Sequence, residues 1–498
     1  MLANALRNTR KRKGLTEALS LVAAPAAAVT AGHHPAHAPP PRARAGAGSV
    51  QPTSQTCTHT YTQTRCAATA AAAWRPVSVL DDWVAREARP ISLRQLMVFG
   101  RSLTEARLLS SANYVRTELP IRIAHRIRDM QQLPYVVVTN PHINDVYNLY
   151  YKAFDEFRKL KEIKTLEDND KFCEIISHNL KGHLTVIPKL AMGILECGGL
   201  MHPHELDQFM NTVLRSRISR RVIAEQHLSL TETYNSPHFS PGAKLSESDF
   251  IGEVFIKCYA KSVIERCAKA VTALARSTNG PEAQVPEIKV DGHLDASFPY
   301  ILSHLEYIIG ELLRNSVQAV IDRQEKLKEK AAAAAAAEGS ASSSPAPTEP
   351  PPPIEVTICE AQEHVIIRIS DRGGGIPREE LPYLWSFSKG PQSESRLENL
   401  GRVPRMAATM QELHVEDELG RADLKTPTYQ NSLSSLTSRP PNLRLGMGLP
   451  LSRVYAEYWA GSLHVHSLEG YGVDAFLKLS RLGNKNEQLT TRASMDAV

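Results

Sequence analysis

The hydrophobic period of this chain changes once along its length, and that change constrains the fold more than any other feature. From Leu80 to about Thr278, apolar residues recur at three- and four-residue steps: Leu93, Leu96 and Met97; Val146, Leu149, Tyr150 and Phe154; Phe172, Ile175, Ile176 and Leu180; Leu206, Phe209, Met210 and Leu214; Val254, Cys258, Val263, Ile264 and Cys267. Such spacing lays an apolar stripe along a helix. Prolines at 90, 120, 134, 141 and 203 punctuate these stretches, so an antiparallel bundle of about four long helices is the natural packing. From Glu287 onward the pattern predicts strands at 287–291, 354–360, 365–371, 462–467 and 473–479, with helices at 303–323 and 450–459. Antiparallel strands carrying helices on one face make an α+β sandwich. The expected architecture is multi-domain: a four-helix bundle over 79–283, then an α/β sandwich over 284–482.

Three segments fall outside both patterns. Residues 1–78 are rich in Ala, Pro, Thr, His and Arg; the first eighty residues hold nine Lys and Arg against one acid, a net +8, so the formal +5 of the 498-residue chain leaves −3 for the rest. That excludes a strongly basic folded body, and with it a charge argument for nucleic acid. The composition is that of a mitochondrial transit segment, with a secretory signal as the competing reading because Arg10–Lys13 precede the apolar Leu19–Val29. Residues 324–353, an Ala tract running into Ser and Pro, read as a disordered insertion, and 388–443 as a long mobile loop with one short helix at Ala407–Leu413. Residues 483–498 read as a polar tail. No apolar run approaches the ~18 residues of a membrane span. The seven cysteines are scattered without a CxxC pair, which supports neither a disulfide framework nor a zinc site.

Three motifs sit at the ends of the sandwich elements. Glu311 and Asn315 (ELLRN) lie four residues apart, on one helix face. Asp371 to Gly375 (DRGGG) follows a predicted strand, where a carboxylate can accept an exocyclic amine and glycines let backbone approach a nucleotide. Leu445 to Pro450 (LGMGLP) precedes a helix whose first N–H groups can cradle phosphate. Each motif alone is weak, but their order and placement together resemble the GHKL (Bergerat) ATP-binding fold. Within that superfamily, segments 118–126 (ELPIRIAHR), 216–221 (SRISRR) with His227, 449–458 (LPLSRVYAEY) and 467–472 (SLEGYG) look like the mitochondrial 2-oxo acid dehydrogenase kinases.

The resemblance implies ATP and Mg²⁺ as cofactors, with K⁺ as a candidate further ion. It implies Glu311 as base, Asn315 on the metal, Asp371 on the adenine amine, and Gly373, Gly375, Gly446, Gly448, Ser388 and Asp474 around the nucleotide. His183 matches the position of a bundle histidine thought to tune the catalytic Glu, and 388–443 becomes an ATP lid. The implied location is the mitochondrial matrix; the implied partners are an E1α subunit, the branched-chain enzyme slightly ahead of the pyruvate enzyme, a lipoyl domain of E2, and a second copy of the chain. Two alternatives stand beside it. Ser177–Lys181 (SHNLK) resembles a histidine-kinase phosphoacceptor box centred on His178, although His183 and Asn315 are 132 positions apart. A degenerate ATP-binding adaptor is the other, since Val473 replaces the family's Thr, Arg444 replaces a lid glycine, and Phe387–Lys389 follows the family element only loosely.

Overall fold

The computed structural model describes residues 77–236, 250–280, 284–337, 350–390, 393–403, 406 and 445–489. Residues 1–76 of the expected transit segment, the short helix at Ala407–Leu413, Arg444 and residues 490–498 lie outside them, while Val77 and Ser78, also assigned to that segment, begin a helix.

The helical half comprises α1 (Val77–Val84), α2 (Leu93–Gly100), α3 (Glu105–Gln131), α4 (Tyr135–Val138), α5 (Pro141–Arg158), α6 (Leu166–Gly182), α7 (Val186–Glu196) and α8 (Pro203–Asn235). Starts follow local chemistry: Ser92, Thr104, Asn140 and Thr165 cap α2, α3, α5 and α6 through side-chain oxygens, and Pro141 and Pro203 occupy first turns where no N–H is needed. Pro120 does not punctuate. It lies buried inside the 27-residue α3, where packing outweighs its lost hydrogen bond. Helices α3, α5, α6–α7 and α8 pack around a core that includes Ile127, Tyr150, Phe154, Phe172, Ile187 and Val213.

The second half comprises β1 (Phe250–Ile251), β2 (Val254–Tyr259), α9 (Ala260–Asn279), β3 (Ile288–Gly292), β4 (Ser297–Ile301), α10 (Leu302–Ala337), β5 (Ile354–Glu360), β6 (His364–Asp371), α11 (Ser393–Gly401), α12 (Gly448–Tyr458), β7 (Ser462–Leu468) and β8 (Gly472–Ser480). A five-stranded sheet runs β3-β5-β6-β8-β7, with α10 and α12 against it and α9 packed on α10.

Five expectations are corrected, the first being that part of the segment read as a loop over 388–443 is helix α11, Ser393–Gly401. The sheet is mixed: β3 pairs parallel with β5, because the chain crosses over through β4 and α10 between them. Val254 and Cys258 belong to a strand of a second, three-stranded sheet, β1-β2-β4; residues four apart share a face in a strand of period two as they do in a helix, so the pair is buried either way. Residues 324–337 are helix, continuing α10 into solvent, since Lys, Glu and Ala extend an already nucleated helix at little cost; 338–349 lie outside the described residues. The polar tail is a strap as far as Leu489. Asn486 bridges Ser92, Glu487 N–H donates to Ile91 O at 2.8 Å, Gln488 N–H donates to Tyr458 O at 2.9 Å, and the Glu487 side chain is 2% exposed.

Candidate nucleotide-binding site

Helix α10 and the end of β6 bring the first two motifs together. Glu311 is 4% exposed, and Asn315, one turn later, lies at the surface. Ser316 donates its hydroxyl to Asp371 Oδ2 at 2.8 Å, and Gly373 N–H donates to Oδ1 at 2.9 Å. The backbone of Val473, across the β6–β8 register from Asp371, also favours the charged form of this carboxylate. Burial pushes the Asp371 pKa above the usual carboxylate range, and the Gly373 and Ser316 hydrogen bonds oppose that shift. An ionised carboxylate accepts about four hydrogen bonds. With Ser316 and Gly373 in place, acceptor capacity remains for a further donor such as an adenine amine.

The glycines are required by close approach. A Cβ on Gly373 would stand 2.5 Å from Ala319 Cβ, and one on Gly375, at φ +76°, would stand 2.3 Å from Leu468 O. Arg323 of α10 fastens this turn to the β7–β8 turn: Nη1 donates to Arg372 O and Tyr471 O at 2.7 Å, and Nη2 to Gly470 O at 3.1 Å.

The third motif closes on the first. A Cβ on Gly448 would lie 2.4 Å from Glu311 Oε2, so the start of α12 runs directly over the buried carboxylate. No side chain caps α12, which leaves its first N–H groups available to an anion. Replacing Gly448 by Ala should displace the Glu311 carboxylate and lower kcat about tenfold or more, because misplacement by about 1 Å costs ~10²-fold in positioned catalysis. Steady-state kinetics beside a thermal melt check this, and unchanged kcat would count against it.

Two expected site residues lie elsewhere. Asp474 is on the opposite sheet face from Asp371: Val473 stands across from Asp371 in the β6–β8 register, and the next residue points away. Its carboxylate pairs with Arg368 at 2.9 Å. His183 ends α6 deep in the bundle, in edge contact with Tyr150. Burial, then Arg220, Arg217 and Arg221, push its pKa down to about 3. His183 and these arginines line a bundle cavity of about 30 Å³ with Leu119 and Phe157.

Ser388 is close to the site but turned to the bundle. Its N–H and that of Phe387 donate to Asp207 Oδ1 of α8 at 2.9 and 2.8 Å, Ser386 Oγ donates to Oδ2 at 2.6 Å, and Ser388 Oγ meets Pro203 O at 3.4 Å. Sequence reading missed Asp207, Ser316, Arg323 and Arg396. Only Ser316, beside Asn315 in the helix motif, carried a local signal.

The buried histidines make stability pH-dependent. Folding lowers the pKa of His183 to about 3 and, through burial, that of His227 to about 4, from about 6.5 in an open chain. Below about pH 6.5 the unfolded state therefore binds more protons, and stability falls with pH by up to about 1.4 kcal/mol per unit for each histidine. Denaturation at pH 7.5, 6.5 and 5.5 should show this slope, reduced in His183→Gln. An unchanged slope in the variant would rule out His183 as a source.

A mixed sheet flanked by helices, with ExxxN, DxGxG and GxGL meeting in one cleft, defines a GHKL-type ATP-binding domain, and residues 301–482 match the family described as histidine kinase-, DNA gyrase B-, and HSP90-like ATPase. Residues 90–255 match the family described as mitochondrial branched-chain alpha-ketoacid dehydrogenase kinase. Among relatives, the chain is 32% identical to [Pyruvate dehydrogenase (acetyl-transferring)] kinase 2, mitochondrial, of Saccharomyces cerevisiae, over 82% of this chain and 85% of that protein. It is 30% identical to the mitochondrial [Pyruvate dehydrogenase (acetyl-transferring)] kinase of Arabidopsis thaliana, over 85% of this chain and 100% of that one. Isozyme 4 of Rattus norvegicus matches at 26% over 80% and 82%. The chain belongs to the mitochondrial 2-oxo acid dehydrogenase kinase family and is an ATP-dependent protein kinase. Matches spanning both halves favour this branch over the histidine-kinase alternative.

Proposed function

We propose that this protein phosphorylates a serine of the E1α subunit of a mitochondrial pyruvate dehydrogenase complex in the matrix, using MgATP. The observation that carries the reading is the meeting of Glu311 with Gly448, which sets a proton acceptor beside the backbone expected to hold the phosphates. Glu311 takes the proton of the attacking serine hydroxyl; Asp371 accepts the adenine amine at its remaining position; Gly373 and Gly375 admit the base; Gly446, Gly448 and the first N–H groups of α12 hold phosphate. The exposed Asn315 carboxamide offers the hard oxygen donor that Mg²⁺ takes. When bound, Mg²⁺ supplies positive charge against the phosphates. Chain segments around the cleft exclude water that would compete with the serine.

The relatives' names support the pyruvate complex over the branched-chain complex slightly favoured from sequence, while the family matched by residues 90–255 keeps the branched-chain enzyme as a second reading. Docking to a lipoyl domain of E2 and assembly into a dimer complete the proposal. Side-by-side incubation of the full chain and Mg-ATP with pyruvate and branched-chain E1 should give phosphoserine on pyruvate E1α. Transfer only to branched-chain E1 would reverse the substrate, nucleotide binding without transfer to either would favour an adaptor, and acid-labile phosphate on His178 would overturn the reading.

A further inference from the structure

Arg396 of α11 is 6% exposed, and its hydrogen bonds run to main-chain oxygens of two segments far apart in sequence. Nη2 donates to Phe387 O at 2.9 Å and to Gly446 O at 3.4 Å, Nη1 to Lys389 O at 3.2 Å, and Nε to Leu445 O at 3.3 Å. The guanidinium lies so close under the glycine turn that a Cβ on Gly446, at φ +66°, would stand 2.2 Å from Nε. Asp207 of α8 satisfies the opposite side of the same loop, taking the Phe387 and Ser388 N–H groups and the Ser386 hydroxyl. It is also the carboxylate whose field favours the buried guanidinium charge. Arginine suits the task because one planar fork presents five donors to several acceptors at fixed angles, which an ammonium on a flexible stem does not.

We propose that Arg396 is a positioning residue for the nucleotide, holding the Leu445–Gly448 turn in the geometry that binds phosphate, and that Asp207 anchors this clamp to the helical bundle. The proposal rests on the ATP-site reading above. Asp207 fixes the donors of loop 386–388, and Arg396 collects the acceptors of 387 and 389 together with those of 445 and 446, the backbone proposed to meet the phosphates. The position of α8 is thereby transmitted to the phosphate-binding backbone through two side chains.

The test uses the full chain with Arg396→Lys, Arg396→Met, Asp207→Asn and the Asp207→Asn/Arg396→Met double variant. ATP KM, kcat at saturating ATP, the Kd of a fluorescent ADP analogue and a thermal melt are measured for each. Each Arg396 variant should raise KM and Kd about tenfold, the loss expected from one or two charge-assisted hydrogen bonds, with kcat changed less than about threefold. Lysine should fail to rescue. Asp207→Asn, which keeps size and shape, should shift KM in the same direction, and the double variant should be no worse than the Arg396 single, since both act through one loop. Unchanged KM and Kd in Arg396→Lys and Asp207→Asn would overturn the clamp, as would a fall confined to kcat or full additivity in the double variant. Failure of the unsubstituted chain to bind the analogue would instead overturn the ATP-site reading.

Discussion

Glu311→Gln is expected to abolish measurable transfer to the E1α serine while leaving the Kd for ADP within a few-fold of the unsubstituted chain. A positioned general base contributes about 10²–10⁴ in rate. Phosphoryl transfer otherwise relies on positioning and charge, so no other group replaces the lost acceptor. The Glu311 carboxylate is buried on α10 under Gly448, with Arg314 Nη2 at 3.4 Å. Glutamine keeps the shape that supports this contact and removes only the capacity to take a proton. The proposed adenine side, Asp371 with Ser316 and Gly373, is untouched by the change. Single-turnover transfer to E1α together with titration of the ADP analogue separates the two steps. Residual kcat above about a tenth of the original would assign the base elsewhere, and loss of ADP binding would make Glu311 part of the nucleotide site instead.

Glu487→Ala should cost about 3–5 kcal/mol of stability, the usual consequence of leaving a buried charge without its partner. Arg122, also fully enclosed, meets Glu487 at 2.9 Å, Glu118 at 3.5 Å and Ser219, while Tyr458 of α12 donates its hydroxyl to Glu487. Burial opposes the Arg122 charge, yet Glu487, foremost among its neighbours, holds the guanidinium charged well above its ordinary range. Burial, then Glu487, likewise push the Tyr458 hydroxyl far up, so it remains a donor. This network ties the strap to α3 of the bundle and to α12 of the ATP-binding half at once. Urea denaturation should show the loss, and a simultaneous Arg122→Met/Glu487→Leu change should recover much of it by removing both charges. A shift below about 1 kcal/mol in Glu487→Ala would place the strap outside the folded unit's stability.

The elements most legible in sequence were those whose own pattern matched their environment. Strand β5 was read with its ends intact because Ile354, Val356 and Ile358 alternate inward as a half-buried strand must. Glu311, Asn315 and Asp371 stood out as candidates because they sit at fixed offsets within single elements. Val254 and Cys258 misled because a four-residue step keeps one face in a strand as well as in a helix, and Asp474 misled because one residue of β8 separates opposite sheet faces. The polar strap misled most, since Glu487 is buried against Ile91, Arg122 and Tyr458, hundreds and tens of residues away.

By itself, the sequence determined the division into a helical and a sandwich half, the family, and the candidates for the base and the adenine-side carboxylate, because periodicity and motif spacing are local properties of one helix or one strand. Only the tertiary structure decided which residues act together. Arg396 reaching two distant glycine-turn segments, Asp207 holding a loop of the other half, His183 among arginines, and Glu487 closing on Arg122 are all contacts between elements far apart in the chain. Burial strengthens such contacts by removing competing water, and burial follows from packing that no short window of residues records.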